Sequence, residues 1–206
     1  MKNYKKNLEL LQNNHVYSTE MEHDACGVGV IASTEGKKSR KIVEYGIEAL
    51  KAVWHRGAVD ADGKTGDGAG IHVEIPKDFF IEKIEVTGHD YDNAEICVGM
   101  IFLPRNDYAA QESCKTIIES ELTKNNFSIY GWRQVPVNPK VLGDKALQTM
   151  PEIIQVLFKH NDLNLLDKKL ERKIYETRKK IENKAFELSL NNFYVCSISS
   201  KSIIYK

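Results

Sequence analysis

The longest uninterrupted apolar run, Ile96 to Leu103, is eight residues long. A membrane-crossing helix needs about 20 apolar residues, so the run reads instead as an apolar strand, Glu95 to Leu103, inside a folded core. Hydrophobic residues make up 42% of the 206 and charged residues 28%, enough apolar matter for a core and too little polarity for a disordered chain. That length suits one domain, or one domain with an appendage. Lys plus Arg equal Asp plus Glu at 29 each, so no long-range field favours nucleic acid or an anionic membrane. The Lys-rich start from Met1 has no apolar stretch suited to a signal peptide, and the expected compartment is the cytoplasm.

The first 25 residues are a polar leader with no sustained period, expected to stay out of the core. From Cys26 the text turns to Cys-Gly-Val-Gly-Val-Ile-Ala, a β-branched run that predicts a first strand ending at the Ser33-Thr34-Glu35-Gly36 turn signal. Arg40 to His55 repeats apolar residues near every 3.6 positions and predicts a helix closed by Gly57. A Gly- and Asp-rich loop, Ala58 to Asp67, leads to a strand from Gly68 to Ile75 that ends at Pro76. Beyond Leu103 the pattern predicts a helix from Asp107 to Lys124 and strands at Ser128–Val135 and Ile153–Phe158. A long helix follows in the Asp162–Leu188 region, with Leu163, Leu166, Leu170, Ile174 and Ile181 on one side, and then strands Phe193–Ser199 and Ser202–Tyr205. The basic residues of that helix need be only a solvated face. This order predicts helices layered on sheet, in an α+β or α/β architecture. The text stops inside a strand pair with no capping helix or polar tail, as expected of a fragment of a longer protein.

The four cysteines, Cys26, Cys97, Cys114 and Cys196, lie 71, 17 and 82 positions apart, which matches neither a disulfide framework nor a zinc site. No metal site is expected. Cys97 and Cys196 read as strand fillers and Cys114 as part of a helix face, which leaves Cys26 as the unusual one. Gly57 to Thr65 resembles a phosphate loop, but has five residues where four are required and follows a helix. Asp60-Ala61-Asp62-Gly63-Lys64 begins like a calcium loop, yet puts Lys64 at a ligand position and Ile71 where the bidentate Glu belongs. Gly66 to Gly70 precedes a strand, whereas a dinucleotide fingerprint lies between strand and helix.

Four blocks remain: Asp24-Ala25-Cys26-Gly27-Val28-Gly29, then His55-Arg56-Gly57-Ala58, then Thr65 to Ile71, then Tyr130 to Pro136 with Phe193 to Ser200 behind it. In this order they resemble the class II glutamine amidotransferase domains that open the large chains of glutamate synthases, from about Glu22 to Lys206. The resemblance implies an α+β fold of the N-terminal nucleophile hydrolase type, a four-layer αββα sandwich incomplete at its C-terminus. It also implies a leader, residues 1–25, removed so that residues 26–206 begin with Cys26.

Chemistry gives that cut a reason. A free thiol of pKa ~8.5 is only a few per cent thiolate at neutral pH, while a freed α-amine titrates at ~7.7 to 8.0 and can take the thiol proton within the same residue. The implied reaction is attack of Cys26 on the side-chain amide of glutamine, loss of ammonia and hydrolysis of the thioester. Arg56 is carried over as the cation ordering the nucleophile or the substrate carboxylate; spacing alone favours an ordinary arginine on helix-end carbonyls, and the resemblance reverses that preference. His55 is read as structural and Asp67 as shaping the loop. The other substrate-binding residues, an oxyanion Asn-Gly pair and an Asp for the substrate amine, are expected beyond Lys206, so the segment alone should be poorly active.

The implied partners are glutamine, a synthase domain of the same chain that aminates 2-oxoglutarate, and, as a further candidate, a smaller electron-supplying subunit. No cofactor is expected in this segment; FMN and an iron–sulfur cluster are implied for the full-length enzyme. Two alternatives stand beside this reading: an inactive amidotransferase-like domain kept for assembly or regulation, and an ammonia donor to a different synthase.

Overall fold

The computed structural model describes residues 2–14, 27–53 and 57–206. Its centre is the apolar run itself. Strand β2 (Cys97–Leu103) pairs antiparallel with β4 (Glu152–His160) on one side and β5 (Tyr194–Ser199) on the other; β3 (Phe127–Gln134) adds to β4, giving the order β3-β4-β2-β5. Both faces of this sheet are covered, so the run shows no polar alternation. On one face Cys97, Ile101 and Leu103 pack with helices α4 (Tyr108–Lys124) and α6 (Asp167–Glu187), through Ile117, Ile118, Leu122, Leu170, Ile174 and Ile181. On the other, Val98, Met100 and Leu157 meet Phe80 and Ile84 of α3 (Lys77–Val86) and Ile203 of a second sheet.

That second sheet pairs β1 (Ile71–Glu74) antiparallel with β6 (Ser202–Tyr205), Ile71 opposite Tyr205. Helix α2 (Arg40–Ala52) lies against it, close enough that a Cβ on Gly46 would stand 3.3 Å from Ile71 Cδ1. The whole is an α+β sandwich with antiparallel sheets. Local signals explain the boundaries: Asp107 caps α4 by accepting from the Ala110 amide at 2.9 Å, and the expected turn closes through Gly36 N to Ser33 O, with Gly36 at φ 67°.

Several expectations need correction. The leader is not patternless throughout, because Lys2–Asn14 forms a helix, α1, built from good helix formers such as Leu, Lys and Gln. Its described side chains are exposed, in keeping with a segment outside the core. The first predicted strand joins no ladder: residues 27–33 carry no regular structure and leave Val28 and Val30 88% and 87% exposed. β-propensity expresses itself only against a partner, and none pairs with this run among the described residues. The long helix starts at Asp167, and Leu163 and Leu166 ahead of it are exposed. Strand β1 is shorter than the predicted Gly68–Ile75. Helix α3, a 3-10 turn at Pro139–Val141 and the short helix α5 (Asp144–Thr149) were not expected from the pattern.

Candidate functional site

Cys26, His55 and Arg56 lie outside the described residues. The chain directly after Arg56 is described in detail. Gly57 begins a small hairpin in which Val59 bridges Gly66, the Asp60 amide donates to Thr65 O at 2.7 Å, and the Asp67 carboxylate accepts from the Ala58 amide at 2.8 Å. Asp67 therefore shapes the loop by closing the base of this hairpin. At the tip, Gly63 adopts φ 69° and its amide donates to Asp60 O.

The Asp62 carboxylate organises that tip. It accepts from the Lys64 amide at 2.9 Å, the Thr65 amide at 2.7 Å and the Thr65 hydroxyl at 2.5 Å. The Thr65 hydroxyl first, then the two amides, draw its pKa down from 3.8 to about 2. These are the backbone N–H groups a phosphate loop would offer its ligand, and a carboxylate of the chain occupies them. The two Asp residues of the calcium-like text are likewise engaged, Asp62 as described and Asp60 with Lys145 of α5.

α5 approaches the hairpin from 78 positions further along the sequence, counted from Thr65 to Gly143. A Cβ on Gly143 would overlap Thr65 Oγ1 and Asp62 Oδ2 and stand 2.5 Å from the Thr65 amide nitrogen. The Asp144 amide, in the first turn of α5, adds the smallest of the contributions that lower the Asp62 pKa. The amino-acid sequence carries no signal for this contact, since the need for Gly143 comes from the close approach of a remote segment.

The other chemical candidates are structural. Cys97, Cys114 and Cys196 are free and buried, and burial raises each thiol: Cys97 well above its ordinary value, Cys114 to about 11, Cys196 upward as well. A buried, raised thiol is a poor nucleophile. These three cysteines lie on β2, α4 and β5, and no group of three or more His, Cys, Asp or Glu among the described residues could hold a metal ion.

The Tyr130–Pro136 block ties layers together: Tyr130 donates to Asp92 at 2.7 Å, Trp132 Nε1 to Glu119 at 2.7 Å, and Arg133 to Gln155 Oε1 at 2.8 Å while lying over the Phe79 ring. At the end of the Phe193–Ser200 block, Ser199 Oγ and both the amide and hydroxyl of Ser200 donate to Glu171 of α6. No described helix is long and apolar enough to cross a membrane.

The α+β sandwich, with its Cys-led and His-Arg-Gly-led segments, falls in a known class: residues 26–206 match the profile of the glutamine amidotransferases class-II, and the chain belongs to that family. Among curated proteins it is 50% identical over 203 residues to the glutamate synthase [NADPH] large chain of Azospirillum brasilense, covering 98% of this chain and 13% of that one. It is 39% identical over 204 residues to the ferredoxin-dependent glutamate synthase of Pyropia yezoensis, covering 96% and 13%. To ferredoxin-dependent glutamate synthase 1, chloroplastic/mitochondrial, of Arabidopsis thaliana it is 40% identical over 187 residues, 90% and 11% of the two chains. The chain spans about an eighth of the length of the first two relatives.

Proposed function

We propose that this segment is the glutamine-hydrolysing part of a glutamate synthase, with Cys26 as its nucleophile. The observation that supports the reading is the starting point of the family match: it begins at residue 26, a cysteine, with residues 1–25 ahead of it, the stretch this reading takes as a removable leader. While Ala25 is attached, the Cys26 nitrogen is a non-basic amide. Once the leader is gone, the freed α-amine, pKa ~7.7 to 8.0, takes the thiol proton as sulfur attacks the glutamine side-chain carbonyl. The C–N bond breaks, the same proton leaves with the nitrogen as ammonia, and water hydrolyses the thioester to glutamate and restores the thiol. Arg56 orders the nucleophile or holds the substrate carboxylate, a role suited to a guanidinium fork.

The ammonia aminates 2-oxoglutarate in a synthase part of the longer chain, and FMN and an iron–sulfur cluster belong to that part. Identity of 50% to an NADPH-named large chain, against 39% and 40% to the two ferredoxin-named relatives, supports a smaller electron-supplying subunit as a partner. Three buried free thiols suit a reducing compartment such as the cytoplasm.

The test is intact mass and N-terminal sequencing of the natural protein, with Cys26→Ala beside it. The mature protein is expected to start at Cys26. The variant should lose glutamine-dependent activity and keep ammonia-dependent activity in the complete enzyme. An active protein that retains Met1 to Ala25, or a variant that loses both activities, contradicts the reading.

A further inference from the structure

We infer that Asp67, at its bond to Gly68, is a site of spontaneous modification, where the chain isomerises to isoaspartate through a succinimide, while the Asp62-Gly63 bond of the same hairpin stays protected. These are the two Asp-Gly steps of the sequence, which has no Asn-Gly. Glycine after aspartate favours the reaction because no Cβ hinders the attacking amide nitrogen or restricts its backbone. By residue type, then, the two steps carry the same liability. All four residues are exposed, so solvent access does not separate them, and hydrogen bonding does.

At the tip of the hairpin the Gly63 amide donates to Asp60 O at 2.9 Å, which ties the nitrogen that would attack. The Asp62 carboxylate accepts from the amides of Lys64 and Thr65 and from the Thr65 hydroxyl, and Gly143 lies close against it. These bonds favour the ionised form, whereas the ring closes by loss of water from a protonated carboxyl. Lowering the Asp62 pKa from 3.8 to about 2 makes that protonated form roughly 60-fold scarcer. The base of the hairpin lacks this protection. Among the described residues the Asp67 carboxylate accepts from the Ala58 amide alone, and the Gly68 amide has no hydrogen-bond partner. Residues 67–70 carry no regular structure, and a Cβ on Gly68 would meet nothing within 4 Å.

The atoms balance with water as the sole co-reactant. The Gly68 nitrogen bonds to Asp67 Cγ, its proton leaves with the carboxyl hydroxyl as water, and a five-membered ring forms. Water then opens the ring at the Asp67 main-chain carbonyl, which becomes a free carboxylate, and the chain runs on through Cβ and Cγ. Nothing is oxidised or reduced. The group that accepts from the Ala58 amide is drawn into the main chain, so the base of the hairpin lengthens by one carbon and loses its closure.

The test ages the full-length protein in mildly acidic buffer, native and unfolded in guanidinium chloride. Isoaspartate is located by tandem mass spectrometry and by methylation with an L-isoaspartyl methyltransferase. The rate at Asp67 relative to that at Asp62 should be about 10-fold or more higher in the native protein than in the unfolded one. Gly68→Ala, whose methyl group fits the open space, should suppress the reaction at Asp67 and leave Asp62 as it was. Thr65→Val, which removes the hydroxyl donor, should speed it at Asp62. The same ratio in both states, a native lead at Asp62, or native protein that gains no isoaspartate at Asp67 overturns the assignment.

Discussion

Asp62 shows how one carboxylate can decide the shape of a loop whose text suggests something else. Gly57 to Thr65 looks like a failed phosphate loop and a failed calcium loop because it is built from the same residue types, yet here the anion is supplied by the chain. The Thr65 hydroxyl and the amides of Lys64 and Thr65 favour the ionised form and bring its pKa to about 2. Since this lies below the ordinary 3.8, the ionised carboxylate supports the folded hairpin above that ordinary value, and its support fades as the pH falls through about 2. Carboxyl-carbon NMR should give an Asp62 midpoint near 2, and Thr65→Val should move it up toward 3.8. A wild-type midpoint at 3.8 would remove Asp62 as the organiser of the tip. The loop was legible as a loop, and Asp67 as one of its shapers. The acceptor role of Asp62 was not, because a hydrogen-bond pattern depends on how the backbone curls and residue type records only that an acceptor is present.

Between elements, the contact of α4 with α6 holds a buried carboxylate. Glu121 of α4 has a side chain only 6% exposed, accepts from Lys184 of α6, and has Lys124 within 3.5 Å. The Lys184 contact first, together with the nearby Lys124 charge, lowers the Glu121 pKa against the cost of burial. Lys184 is 38% exposed, so solvent screens the pair and its loss should cost less than that of a fully buried pair. Thermal denaturation of Glu121→Gln should show a melting temperature lower by a few degrees. The deficit should shrink as pH drops below 4.5, the ordinary value for this group, because a lowered carboxyl stabilises only while ionised. An equal deficit at all pH values would point to packing instead.

At the same scale, α2, α4 and β2 to β6 were legible from period and from caps such as Asp107. Helix α3 was not, since its ten residues bury only Phe80 and Ile84 and offer too few turns for a period to stand out. The run from Cys26 failed in the opposite direction: a strong β pattern with no ladder, because local preference cannot supply a neighbouring strand.

Taken whole, the molecule sets three of its four thiols inside packed layers: Cys97 and Cys114 on the helix side of the four-stranded sheet, Cys196 on the side of β6. A thiol titration of the native protein should therefore find Cys97, Cys114 and Cys196 slow to react, and quick only after denaturant is added. Two or more fast thiols in the native state would contradict this packing. The amino-acid sequence alone determined that the chain builds an α+β core around Ile96–Leu103, which of its elements are helices and strands for most of its length, and that its text belongs with the class II glutamine amidotransferases. Periodicity and composition carry such information because they record which side of an element avoids water. Only the tertiary structure decided the order β3-β4-β2-β5, the separate pairing of β1 with β6, and the meeting of Gly143 with Thr65. Those are choices among long-range partners, settled by the packing of the whole chain, and no local pattern in the residues encodes them.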